Sequence, residues 1–139
     1  MTVVLGRIPP RHDTGLDRFA AAWAGALAGT SYVPLRRVEI GHWLRGLAAR
    51  LVAAVRSEPF RAEPGYEVAA ALVEGDFAVP EVLGRSIEII SDRLLADAGL
   101  SGEAYQKRLT RLLGTFAIGF SWSLHDRTLD QQEEIRKAV

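Results

Sequence analysis

Apolar residues recur at helical spacing from residue 16 toward the end of the chain, and no segment shows the sustained two-residue alternation of a strand. Leu16, Phe19, Ala20, Trp23 and Leu27 fall on one helical face, which predicts a first helix over about 16–28 with Trp23 in the core. Asp13 or Thr14 would cap its start and Gly29 would stop it. Pro34 forces Val33 out of the helical region, so residues 30–35 read as an extended connector. A second helix over about 36–57 carries Ile40, Leu44, Leu47, Leu51, Ala54 and Val55 in one stripe, and Glu58-Pro59 ends it. Pro64 and Pro80 sit where first-turn prolines are tolerated. They open a third helix through Glu74 and a fourth that Gly99 closes. Ser101 then caps a fifth helix that can run from about Gly102 onward. The pattern predicts an all-α fold, a five-helix bundle with a long C-terminal exit helix. Residues 1–15 are an irregular lead-in, 16–124 the bundle, and 125–139 the start of a signalling helix or linker to a C-terminal effector.

The fifth helix is apolar on two sides. Leu112, Leu113, Phe116, Phe120 and Leu124 lie within about 60° of Leu109, an ordinary core face. Ile118, Trp122, His125 and Leu129 form a second stripe at roughly 140–220° from it. Such a helix is either central in its own bundle or packed against a partner, and the second stripe predicts a homodimer interface. No Gly, Asn or Pro follows to end the helix, so it reads as one that continues past Val139.

Composition narrows the field. Seventeen basic and seventeen acidic residues give a net charge of zero, which argues against a nucleic-acid binder. No apolar run is long enough for a membrane span or a signal-peptide core, so a cytoplasmic protein is expected. The absence of Cys removes disulfides, thiolate metal sites and cysteine nucleophiles. His12, His42 and His125 show no metal-site spacing; His42 reads as a surface residue and His125 as an interface side chain, so no metal site is expected. The string Gly119-Phe-Ser-Trp-Ser123 departs from a nucleophile elbow at its fifth position and falls within a helix. With no paired carboxylates on an apolar face, the residues supply no catalytic set and no enzyme is expected. The arginines of the second helix, Arg36, Arg37, Arg45, Arg50 and Arg56, scatter around it as a mixed solvated surface. Tyr32 and Trp43 are the aromatics least explained by core stripes, and are the expected lining of any ligand pocket between helices.

Three stretches together resemble a known family. They are Ala20–Leu35 with its Gly-Thr-Ser-Tyr-Val-Pro string, Leu83-Gly-Arg-Ser-Ile-Glu-Ile-Ile90, and His125–Arg136 with Arg-Thr-Leu-Asp-Gln-Gln-Glu-Glu-Ile. They resemble the N-terminal helical domain of actinobacterial GGDEF/EAL proteins, in which such a domain precedes PAS, GGDEF and EAL domains that make and break cyclic di-GMP. The GGDEF and EAL strings are absent from this chain, so neither catalytic activity carries over. The resemblance implies a sensory or regulatory input module that dimerises and signals through its last helix to such C-terminal domains. The alternative is a helical, globin-like sensor for a small molecule or a cofactor such as haem, whose identity the residues leave unknown.

Overall fold

The computed structural model describes residues 11–138, with side chains from Thr14 onward. Among the described residues the chain forms five α-helices and no strand: α1 (Arg11–Leu27), α2 (Arg37–Arg56), α3 (Glu63–Glu74), α4 (Pro80–Asp97) and α5 (Glu103–Ala138). The fold is all-α, with the long C-terminal helix that the periodicity predicts. No helix among the described residues is long and apolar enough to cross a membrane.

The lead-in is shorter than expected. Residues 1–10 lie outside the described residues, and α1 already begins at Arg11. Asp13 and Thr14 therefore lie inside α1 and do not precede it. Gly15 is neither turn nor stop: it is buried, and a Cβ there would collide with the Asp97 carbonyl oxygen of α4.

Pro64 and Pro80 occupy the first turns of α3 and α4 as expected. Gly99 closes α4 in a left-handed conformation (φ 73°), with Leu100 N–H donating to Leu95 O at 2.8 Å and Gly99 N–H to Ala96 O at 3.1 Å. The end of α3 closes by the same pair of bonds, but Asp76 takes the left-handed position (φ 74°) that glycine occupies without cost.

The core draws on all five helices. Phe19, Trp23, Leu51, Leu72, Ile90 and Phe116 are among its fully buried large side chains. Ser86 is the one buried polar residue among those described, and Trp23 Nε1–H donates to its Oγ at 2.9 Å. That bond satisfies an indole N–H that would otherwise lie unpaired in the core.

Helices α3 and α5 approach closely, with a glycine on each side of the contact. A Cβ on Gly65 of α3 would collide with Leu112 O and Thr115 Oγ1 of α5. A Cβ on Gly119 of α5 would lie 2.6 Å from Tyr66 O and 2.7 Å from Tyr66 Cα of α3. Thr115 Oγ1 sits in the same seam and donates to Ala62 O at 2.6 Å. Alanine in a helix is intrinsically better than glycine by about 1 kcal/mol, so the seam reverses the usual sign of the substitution. Gly119→Ala is expected to destabilise by about 1–3 kcal/mol through overpacking. Gly114→Ala, five residues earlier with nothing within 4 Å of its would-be Cβ, is expected to stabilise by about 0.5–1 kcal/mol. Urea denaturation of the two variants measures both signs.

Candidate functional site

Helix α5 is 36 residues long and serves the bundle with only part of its length. Leu109, Leu112, Phe116, Gly119 and Phe120 are buried, Leu113 and Leu124 are half-buried, and every residue from Thr128 to Ala138 is exposed. Two arginines pin the helix to the bundle. Near its start, Arg108 donates to Val55 O at 2.9 Å and Ser57 O at 3.1 Å, and pairs with Glu58. Farther along, Arg127 donates to Val73 O at 2.5 Å and to the Asp76 carboxylate at 2.6 Å. Beyond Arg127 the helix has no buried residue, and a free helical segment of this length is marginal in water.

The second apolar stripe of α5 faces away from its own bundle. Ile118, Trp122 and Leu129 retain 54%, 56% and 49% of their surface, and His125 between them is exposed. Their spacing of four, three and four residues keeps them on one side over about 16 Å of helix. The Trp122 and His125 rings stand edge to face with centroids 5.9 Å apart and planes at 80°, so they form one continuous surface. Among the described residues, nothing buries α5 on this side.

Tyr32 and Trp43 are not brought together as a pocket lining. Tyr32 is 91% exposed, whereas Trp43 stacks on Phe77 at 5.8 Å and lies against Gly75. A cleft of about 230 Å³ does open between them in the chain, where the end of α1 meets the connector, but Leu27, Val33, Leu35, Ile40 and Phe77 are what line it. Trp43 stands one ring behind its wall and Tyr32 beside its edge in sequence. The missed residues carried helical-stripe or loop signals that pointed to the core, and only the fold places them at an opening.

His42 and His125 are exposed on different helices, and the side chain of His12 lies outside the described residues. Among the described residues no group of three His, Asp or Glu is placed to hold a metal ion. The Gly119–Ser123 string lies inside α5, where its glycine is taken up by the contact with Tyr66.

No protein-family model, curated protein or solved structure matches the chain, so the function rests on its own residues.

The Arg127–Asp76 clamp holds the last point at which α5 touches the bundle, and it does so on a strained residue. Asp76→Ala removes the ion pair but keeps the left-handed strain, and is expected to cost about 1–2 kcal/mol. Asp76→Gly loses the same pair while relieving the backbone, and is expected to cost under about 0.5 kcal/mol. Chemical denaturation of the two variants side by side separates clamp from strain.

Proposed function

We propose that this chain is a regulatory input module that dimerises through α5 and passes its signal along that helix to a cyclic di-GMP-metabolising output domain. The observation that carries the reading is the exposed stripe Ile118–Trp122–His125–Leu129 on the side of α5 turned away from its own core. A straight apolar stripe on one helix is self-complementary under a two-fold axis, which makes a second copy its natural partner. The exposed 128–138 segment supports the same partner, because pairing would stabilise a helix that the bundle leaves unsupported.

Magnitudes set the strength of the contact. Burying a fully exposed side chain of this size is worth roughly 1.5–3 kcal/mol, and these are about half exposed. Three from each protomer then contribute roughly 5–9 kcal/mol, against an association cost on the order of 4–15 kcal/mol. The stripe alone makes a weak dimer, and pairing of the C-terminal segments supplies the remainder. In a parallel pair the two C-terminal ends emerge side by side, the arrangement that catalytic domains acting face to face require. The resemblance to the input domains of GGDEF/EAL proteins supplies the output.

Light scattering over a concentration series is expected to show a monomer–dimer equilibrium with Kd on the order of micromolar to tens of micromolar. Trp122→Glu is expected to remain monomeric at every concentration with unchanged helicity; a wild-type chain that stays monomeric, or a variant that still dimerises, overturns the interface. Placed in heptad phase ahead of a diguanylate cyclase domain, the wild-type chain is expected to support product formation and Trp122→Glu to lower it at least fivefold. Equal cyclase activity in the two fusions would sink the signalling reading while leaving the dimer intact.

A further inference from the structure

At one end of the bundle, away from the α5 stripe in sequence, a cleft of about 490 Å³ opens between α1, the end of α2 and the turn after α4. Arg18 and Arg56 line it, together with Ala96, Asp97 and the Ala98–Leu100 turn. Most arginines of the described helices are committed: Arg50 to Glu67, Arg93 to Asp97, Arg108 to Glu58, Arg127 to Asp76, Arg85 to a backbone carbonyl. Arg18 and Arg56 are not: neither makes a hydrogen bond or ion pair with any described residue, and both are exposed.

The groups that could oppose them are already used. The Asp97 carboxylate accepts from Arg93 Nε at 3.1 Å, and its side chain is only 13% exposed. The carbonyls of the last turn of α4 are taken up internally as far as Ala96: Leu94 O by Ala98 N–H, Leu95 O by Leu100 N–H and Ala96 O by Gly99 N–H. At the end of α2, Val55 O accepts from Arg108 and Ala54 O from Ser57 N–H. Two uncommitted guanidiniums therefore supply free donors to a concave site whose remaining wall includes Ala96, Ala98 and Leu100. Guanidinium is a fork of donors matched to phosphate oxygens, and the volume falls in the range of small-molecule sites.

We infer that this cleft binds a phosphorylated small molecule, with Arg18 and Arg56 holding the phosphate and the Ala96–Leu100 wall contacting its organic part. The site shares no residue with the α5 stripe, so it stands or falls separately from dimerisation.

The test uses isothermal titration of the whole chain at constant ionic strength, with inorganic phosphate, pyrophosphate and a nucleoside 5′-monophosphate as probes. Saturable binding of the monophosphate is expected, at least tenfold tighter than inorganic phosphate. Arg18→Gln and Arg56→Gln should each weaken it at least tenfold, whereas Arg136→Gln, on the exposed end of α5, should leave it unchanged. Circular dichroism checks that the variants keep their helicity. Heats that do not saturate, or affinity that survives both cleft substitutions, overturn the site; inorganic phosphate bound as tightly as the monophosphate overturns the organic part of the assignment.

Discussion

The arrangement of this bundle hangs on the crossing of α3 and α5. Gly65 and Gly119 each bring a bare Cα against the backbone of the other helix, and Thr115 closes the gap with a hydrogen bond to Ala62 O. Reciprocal contact of this kind admits no side chain on either partner, so it fixes separation and register together. With α3 set there, Leu109, Leu112, Phe116 and Phe120 enter the core and meet the side chains of the other helices.

Arginine does a second job in holding the parts together. The C-terminal ends of three helices are each reached by a guanidinium from elsewhere: Ala26 O of α1 by Arg85, Val55 O of α2 by Arg108, and Val73 O of α3 by Arg127. Last-turn carbonyls lack intrahelical donors and carry the negative end of the helix dipole, so a permanent cation with several donors suits them. Arg108 and Arg127 use the fork fully, bonding a carbonyl with one nitrogen and a carboxylate with the other, which a lysine ammonium on its single point charge reproduces poorly. Arginine in place of lysine at these positions thus has a structural use.

Much of the fold was legible because its signals are local. Pro64, Pro80 and Gly99 punctuate the chain where the helices begin and end, and the stripe through Trp23 is buried as its spacing requires. What was not legible depends on long-range partners. Nothing near Trp23 announces Ser86, and nothing near Arg18 places it in the same cleft as Arg56, since both relations exist only once separate helices meet. The glycine seam did leave a trace: a glycine costs about 1 kcal/mol inside a helix, so Gly65 and Gly119 called for a packing reason. The start of α1 was misplaced because Asp13, Thr14 and Gly15 resemble a cap and turn, while tertiary contact between Gly15 and the end of α4 keeps them helical.

The uncovered arc of α5 changes character along its length, and that change separates two explanations for it. At 100° per residue, Arg111 and Gly114 lie on the same arc as Ile118, Trp122, His125 and Leu129, and all six are exposed. If the arc merely faced water, nothing in the bundle would distinguish its first part from its second, and polar residues would serve throughout. Instead the arc is apolar at Ile118, Trp122 and Leu129, with His125 between them, along the stretch that leads into the unsupported 128–138 segment. An exposed Trp between an Ile and a Leu is costly to solubility and adds nothing to the core of the described residues, which is the observation behind the proposed interface. The arc is polar where α5 runs beside Phe60, whose ring meets the Arg111 guanidinium at 5.1 Å. It is apolar at Ile118, Trp122 and Leu129 and polar again at Gln132 and Arg136, which lie on the same arc. The apolar stretch is thus confined to the turns around the last buried residues of α5, Gly119 and Phe120, and the Arg127 contact with Val73 O.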